Sequence, residues 1–303
     1  LAPLLLVVLY ARPGRAALAG FVFGLGYHLA LLYWILIVLG QYGGLPIWIS
    51  LPALFLLAAY MAIYPTFFCW LLSRVAGRSW HRERSIAPLV WYGPVIWVGL
   101  EYAKGVAFSG FPWMDLGYGL FGQPSLIQAA DLGGHHLLSF TLVLGNSLLV
   151  ALIDRQRRSV RWNVRFERRL LLMAMGFLVF ILGYSQVRYQ VVTAIAARSM
   201  QAKVAVVQGN VDQAVKWSPA FKAATVETYL RLSRQATAGQ DVELVVWPET
   251  ALPFYPQRDA LMQRVGAFTQ ANNFWLLTGA PLFSLPPLAD GEQQVRYYNG
   301  ALL

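Results

Sequence analysis

The feature that most constrains this chain is a series of long apolar segments. About 20 apolar residues, each rising about 1.5 Å, cross a bilayer's hydrocarbon core. Five stretches meet or approach that length: Ala17–Leu39, Leu45–Leu72, Ile86–Tyr102, Ser125–Ile153 and Leu170–Val187. The third is short, and the fourth is long enough to include a lead-in that does not span. Composition agrees, since 57% of the 303 residues are hydrophobic and 13% are charged, against about 25% charged in an ordinary soluble domain. The expected solvent is a membrane. The run Leu4–Tyr10 is too short to span and has no basic leader of a signal peptide. It predicts a chain that begins late in a transmembrane helix.

The formal net charge of +10 would suggest a nucleic-acid partner if it covered a soluble surface. The arginines instead form short runs between apolar segments, which reads as membrane topology and argues against nucleic-acid binding. Basic residues fill three connections: Arg12 and Arg15; Arg74, Arg78, Arg82 and Arg84; and Arg155, Arg157, Arg158, Arg161, Arg165, Arg168 and Arg169. The alternate connections are poor in them, with none in Gly40–Gly44 and only Lys104 in Ala103–Gln123. The positive-inside rule puts the basic connections in the cytoplasm and everything after about Arg188 outside. Arg188, Arg198 and Lys203 weaken that contrast without reversing it.

Past Met200 the texture changes. Ala202–Gln208, Val242–Trp247 and Phe274–Gly279 are short apolar runs suited to buried strands, and Tyr297–Leu303 has the pattern of another. Between them Ser218–Ala236 and Gln257–Asn272 read as helices, the first with Ser218 as a cap and Pro219 in its first turn. The organisation is therefore a helical membrane domain over 1–190, with about five spans after an N-terminal helix fragment, and an α/β domain over 200–303. The latter is short for a layered domain, which predicts that it continues beyond Leu303.

Several residues carry potential chemistry. Pro248 ends a strand and projects Glu249 from its C-terminal edge, where ligands sit in α/β sheets. Beside Trp247 and Pro248 the acid is a candidate for partial desolvation and proton transfer, with a solvated strand-end glutamate as the plainer reading. Gln208-Gly209-Asn210 ends the first strand as a turn. Trp217 anchors that turn or lines a cleft facing lipid, and local chemistry favours the anchor. Phe111-Pro112-Trp113 fits an interfacial aromatic belt. Glu101 and Lys104, three residues apart, read as a screened pair, while Asp115 and Asp131 have no obvious partners. Adjacent His135 and His136 diverge by about 100° on a helix and do not suggest one metal ion. His28 and Asn146, polar residues inside spans, read as makers of packing hydrogen bonds between helices. The lone Cys69 permits no internal disulfide and reads as packing. Gly24-x-Gly26, inside a span, reads as helix packing rather than a phosphate loop.

Taken in order, VVQGN at Val206–Asn210, KW at Lys216–Trp217 and VVWPET at Val245–Thr250, following membrane spans and GFPWMDLGY at Gly110–Tyr118, resemble the apolipoprotein N-acyltransferase family. The WPE element is shared across the nitrilase superfamily; the spans and the FPW loop make the likeness specific. The resemblance covers essentially the whole chain. It implies a multi-span α-helical membrane bundle plus a partial α/β nitrilase-like domain of α-β-β-α sandwich type, outside the cytoplasm of a bacterial inner membrane. That family has eight membrane helices with such a domain between the seventh and eighth. Leu1–Tyr10 would then end the second helix, and the five spans would be helices three to seven.

The resemblance also implies a Glu-Lys-Cys triad, with Glu249 as general base and the lysine and cysteine beyond Leu303. Lys203, Lys216, Lys222 and Cys69 do not match them. Trp217, and with it Trp113, would bind substrate. A phospholipid would donate the acyl chain, a diacylated apolipoprotein would accept it, and neither cofactor nor metal is implied. The isolated 303-residue chain would be catalytically silent. The alternatives are a membrane-tethered amidase using the same triad and, in another class, a non-catalytic scaffold or transporter. Transporters pair ionisable groups mid-membrane, whereas His28 stands alone.

Overall fold

The structure, a computed structural model, describes residues 1–83, 85–158, 165–212, 216–285 and 295–303. The chain divides into two compact units, Leu1–Arg198 and Ser199–Leu303.

The first unit is helical. Helix α1 (Ala2–Tyr10) is followed by α2 (Pro13–Leu31), the short α3 (Trp34–Ile37) with a π-helical turn over Val38–Tyr42, α4 (Ile47–Glu83), α5 (Ala87–Val106), α6 (Ala130–Arg158) and α7 (Arg165–Arg198). Four of these are long and apolar enough to cross a membrane, over Pro13–Leu31, Ile47–His81, Ile127–Gln156 and Glu167–Arg198. The short third stretch forms α5, which has 20 residues but carries Pro94, Glu101 and Lys104. By length and composition it is not among the four. It packs against α4, α6 and α7.

Burial runs opposite to that of a soluble bundle. Leu18, Val22, Trp48, Leu56, Leu172 and Phe180 point outward and are each more than half exposed, as a lipid-facing surface requires. The interior holds Leu5, Val8 and Leu9 of α1 together with Phe68, Leu72 and Trp80 of α4, all fully buried. Ile86 and Leu89, at the start of α5, join the same core. Glu167 of α7 accepts the Ile86 N–H at 2.7 Å, supplying an unpaired donor at the start of α5 with a charged acceptor.

The basic segments read as connections are largely helical extensions. Arg74 and Arg78 lie within α4, Arg155 within α6, and Arg168 and Arg169 within α7. Arginine is a good helix former, so a helix does not stop where its apolar face does. Arg84 and Arg161 lie outside the described residues. The expected lead-in to the fourth span is present: a 3-10 turn at Ile127–Ala129 precedes α6, and Gly133 and Gly134 interrupt that helix.

Two glycines let α2 approach α4, but not the expected pair. A Cβ on Gly20 would lie 2.5 Å from the Pro65 carbonyl oxygen and 3.0 Å from Cys69 Sγ, and one on Gly24 would collide with the Pro65 ring and sit 3.0 Å from Ala62 Cα. Gly26 has open space. Residues four apart share a helix face, whereas residues two apart diverge, so Gly20 and Gly24 form the contact.

The second unit contains β1 (Val204–Val206), α8 (Lys222–Thr237), β2 (Leu244–Val246), α9 (Leu261–Asn272), β3 (Trp275–Ser284) and β4 (Arg296–Leu302). The strands lie in the order β1-β2-β3-β4. β1, β2 and β3 are parallel, with Val204 opposite Leu244 and Leu244 opposite Trp275; β3 and β4 are antiparallel. Ala205, Val245, Leu276 and Ala280 are buried with Val226, Tyr229 and Leu230 of α8 and Val265 and Phe268 of α9. The apolar runs read as buried strands. Among the described residues only one face is covered, and Val206 and Trp275 are 77% and 68% exposed. Ser218 precedes the turn Pro219–Phe221 that leads into α8, without a side-chain capping bond.

Replacing Gly20 or Gly24 by alanine is expected to lower stability by about 1–3 kcal/mol, the scale of a rigid overpacking, while Gly26→Ala stays within about 0.5 kcal/mol. Thermal unfolding in detergent reads both, and equal melting of all three variants would remove the assigned contact.

Candidate functional site

Glu249 follows β2. Trp247 still takes part in the ladder, its N–H donating to Leu277 O at 2.9 Å, and Pro248 then ends it because proline has no N–H. The chain turns at once: Thr250 has φ 53°, Ala251 N–H donates to Pro248 O at 3.1 Å, and Leu252 N–H donates to Gly279 O at 3.2 Å. β3 presses on this turn so closely that a Cβ on Gly279 would lie 2.7 Å from Glu249 Cα and 2.5 Å from Thr250 N. Glycine is required there by backbone contact.

The Trp247 ring turns away from Glu249. It is buried, stacks on Tyr229 at 5.1 Å, and donates from Nε1 to Ser233 Oγ at 2.8 Å. Glu249 is thus exposed rather than desolvated by its tryptophan neighbour. Its Oε1 accepts a hydrogen bond from Asn299 Nδ2. Asn299 stands opposite Pro281 in the β3–β4 pairing, and the sequence analysis did not single it out. Its signal was the strand pattern near Tyr297, but only the antiparallel register brings it to Glu249.

The turn after β1 lies at the same sheet edge, because β1 and β2 are parallel neighbours. Asn210 has φ 47° and its Oδ1 accepts from Gln208 Nε2 at 2.7 Å. A Cβ on Gly209 would lie 2.7 Å from the Tyr229 ring. Burial pushes the Tyr229 hydroxyl pKa up, and its hydrogen bond with the Gly209 backbone works the other way. Tyr229 therefore braces both strand-end turns, against Gly209 on one side and Trp247 on the other.

Trp217 does not anchor a turn. It is 58% exposed and lines an open pocket of about 400 Å³ with Lys222, Phe254, Tyr255, Arg258 and Asp259. The far wall is the segment immediately downstream of the Glu249 turn. Lys222 Nζ reaches Asp259 Oδ2 at 2.5 Å and lies over the Phe254 ring, 5.7 Å from its centroid. That hydrogen bond holds the Asp259 carboxyl below its ordinary pKa, against the opposing effect of burial.

Trp113 belongs to the helical unit. Its ring stacks on Trp34 at 5.1 Å and on Phe111 at 5.9 Å, and it is half exposed. The expected Glu101–Lys104 pair does not form. Lys104 pairs with Asp115 at 2.5 Å, while Glu101 Oε1 accepts from Trp97 Nε1 and Leu116 N, each at 2.8 Å. Asp115 also takes His135 Nε2 at 2.9 Å. Asp131 has partners too: Arg188 Nε donates to its Oδ2 at 3.0 Å, and Tyr184 Oη donates to the same carboxylate.

The Gly133–Gly134 break lets the His135 and His136 rings come within 4.0 Å of each other. Their nitrogens and an Asp115 oxygen fall within 4.8 Å of one another, a spacing a metal ion can bridge. The Lys104 ammonium already neutralises that carboxylate, so the group is an ion pair before it is a cation site. Elsewhere in the spans, His28 Nδ1 bonds Gly24 O within its own helix at 2.7 Å, whereas Asn146 Oδ1 accepts Ala2 N–H across helices at 3.0 Å.

Comparison with known proteins adds two family matches. Residues 1–148 match the apolipoprotein N-acyltransferase N-terminal domain, and residues 203–303 match the carbon-nitrogen hydrolase family. Among curated relatives, the apolipoprotein N-acyltransferase of Geobacter metallireducens is 36% identical over 100% of this chain and 55% of its own. That of Pseudomonas putida is 33% identical over 99% of this chain and 56% of its own. That of Vibrio cholerae is 29% identical over 100% of this chain and 54% of its own. The chain thus spans about half the length of the curated relatives it matches.

A depressed folded-state pKa means that Asp259 stabilises the fold above its unfolded pKa, and that this contribution is lost as pH falls through the folded value. Acid unfolding below about pH 4 is expected to show that contribution, and Lys222→Gln to move the carboxyl back toward its ordinary titration. Carbon-13 NMR of the aspartate carboxyls reads the shift; an Asp259 titration indifferent to Lys222→Gln would contradict the pairing.

Proposed function

The chain belongs to the apolipoprotein N-acyltransferase family, and on that premise we propose that it serves to move an acyl chain from a membrane phospholipid to the N-terminal amino group of a diacylglyceryl-cysteine lipoprotein. It is a membrane protein with a nitrilase-like domain. On this reading it sits in the bacterial inner membrane with that domain on the periplasmic side, as the distribution of arginines between apolar segments suggests.

The observation that carries the reading is the strand-end turn after β2. It holds Glu249 exposed at the C-terminal edge of a parallel sheet, braced by Gly279 and hydrogen-bonded to Asn299. A general base needs both a fixed backbone and an accessible carboxylate, and this turn supplies both. Glu249 would take the proton from a thiol, whose free pKa of about 8.5 leaves little thiolate at neutral pH. The thiolate sulfur would attack the phospholipid's ester carbonyl and form a thioester, expelling the lysophospholipid alkoxide, which takes up a proton. The lipoprotein amine would then displace the thiol and form an amide. A lysine would stabilise the oxyanion of each tetrahedral intermediate.

Cys69, buried in α4, is not assigned the nucleophile's role. Trp217, exposed on its pocket, and Trp113, half exposed on its loop, would meet acyl chains through flat aromatic faces. The donor is a phospholipid, the acceptor a diacylated apolipoprotein, and no cofactor takes part.

The test joins this chain to the remaining half of the Geobacter metallireducens relative and measures acyl transfer from phospholipid to a diacylated lipopeptide. Glu249→Gln is expected to reduce transfer by at least about 10²-fold, the usual worth of a general base, with the melting temperature kept. Undiminished transfer would reject the role given to Glu249. Release of free fatty acid or of ammonia from small amides, with no acylated peptide, would favour the tethered amidase.

A further inference from the structure

The loop between α5 and α6 is gripped by the last turns of α5. Lys104 O accepts the Phe111 N–H at 3.0 Å. Lys104 Nζ donates to Trp113 O at 3.0 Å and pairs with Asp115 at 2.5 Å. Glu101 holds the Leu116 N–H at 2.8 Å. Between these anchored groups Met114 is left-handed, with φ 62°. Such a conformation persists in a side-chain-bearing residue only where its surroundings over-determine it.

Lys104 and Asp115 are 5% and 2% exposed. A buried ion pair is a weak source of net stability compared with apolar side chains of the same volume, so stability alone gives little reason for it here. What the pair does visibly is local. It clamps the carbonyl of residue 113 and the side chain of residue 115 on either side of the strained Met114. The Trp113 ring is thereby held on Trp34 and Phe111 with half its surface open.

We propose that Lys104 is a positioning residue for the acceptor substrate: together with Asp115 it fixes the loop so that Trp113 presents its open face to a diacylated peptide. This rests on the assignment of Trp113 to substrate binding. Lys104 does not itself touch the lipid; it acts through the Trp113 backbone.

The experiment uses the 303-residue chain in nanodiscs, a fluorescent diacylated lipopeptide as probe, and 5-fluorotryptophan labelling. Lys104→Met alone would strand a buried carboxylate and risk unfolding, so the principal variant is Lys104→Met with Asp115→Asn, which removes both charges. It is expected to weaken lipopeptide binding about tenfold, the scale of one charge-assisted hydrogen bond, and to shift or broaden the Trp113 fluorine resonance. Lys104→Arg, which keeps a cation in reach of Asp115, is expected to retain both binding and resonance.

In a Trp113→Ala background the double charge removal should cost nothing further, because residues that act through one another are not additive. Equal weakening with and without Trp113 would overturn the proposal, as would unchanged binding in the charge-removed protein while Trp113→Ala binds poorly. If Trp113→Ala binds as the parent does, the substrate assignment falls separately. The fluorine spectrum then decides the positioning itself: an unmoved Trp113 resonance overturns it, and a moved one upholds it.

Discussion

Hydrocarbon offers no hydrogen-bond partner to a peptide group, so a chain that crosses it must satisfy its backbone from within. The helical unit follows this rule even where its helices break. At the end of α2 the Leu32 N–H still reaches His28 O at 2.8 Å, and the π-helical turn closes with Gly43 N–H on Val38 O at 2.9 Å. Where α6 is interrupted, Ser139 Oγ of α6 accepts the Gly117 N–H at 2.8 Å from the preceding loop. The same constraint explains why each charged group around Lys104 finds a partner, although Glu101 Oε2 and His136 Nδ1, 3.8 Å apart, are left without a hydrogen bond among the described residues. Charges near apolar surroundings persist when each finds a partner, and Glu101, Asp115, His135 and Lys104 meet that condition mainly through one another and the loop backbone.

The α/β unit solves a different problem. It keeps an acid accessible yet held, and a strand end followed by proline does so at small cost. The ladder fixes Trp247, proline releases the chain, and Gly279 lets β3 lie against the backbone that carries Glu249. Tyr229 and Ser233 brace the same turn from α8, through the Trp247 ring. The unit thus keeps an exposed carboxylate on a turn braced by the Gly279 contact and, through Trp247, by a buried aromatic pair.

Much of this was legible in the sequence. Long apolar runs impose helices on any chain that meets lipid, and short apolar runs alternating with helical segments after Met200 pointed to an α/β sheet domain. Strand-end placement of Glu249 followed from Pro248 alone. What stayed hidden depends on contacts distant in sequence. Asn299 reaches Glu249 only through the β3–β4 register, and Lys104 finds Asp115 rather than Glu101 only because the loop folds back on α5. The helical spacing of Glu101 and Lys104 suggested a pair, but a buried loop backbone offers each a better partner than water-screened attraction does. The interhelical glycines were misread for a similar reason. Gly24-x-Gly26 is visible as a motif, yet only a face-to-face contact with Pro65 and Ala62 shows that Gly20 is the true companion of Gly24. Trp217 was read locally as an anchor and is exposed in a pocket instead, because one wall of that pocket comes from Pro253–Asp259, more than thirty positions later.

Backbone strain follows the same pattern in each unit. Among the described residues, five other than glycine have positive φ: Phe108, Met114, Asn210, Thr250 and Asn273. Asn273 ends α9 in the left-handed conformation, an ordinary role for asparagine there. Phe108 and Met114 flank the FPW segment, Asn210 closes the turn after β1, and Thr250 follows Glu249 directly. Each costs on the order of 1 kcal/mol, and a chain free to relax would shed that cost. It persists here because neighbouring groups are fixed: Lys104 and Glu101 around Met114, and Gly279 and the Pro248–Ala251 turn around Thr250. Strain held by buried contacts is a way to fix a side chain that is itself exposed, since the exposed group cannot be packed into place. Trp113 and Glu249, one half open and the other exposed, are held by that means, the first by an ion pair and the second by a glycine contact.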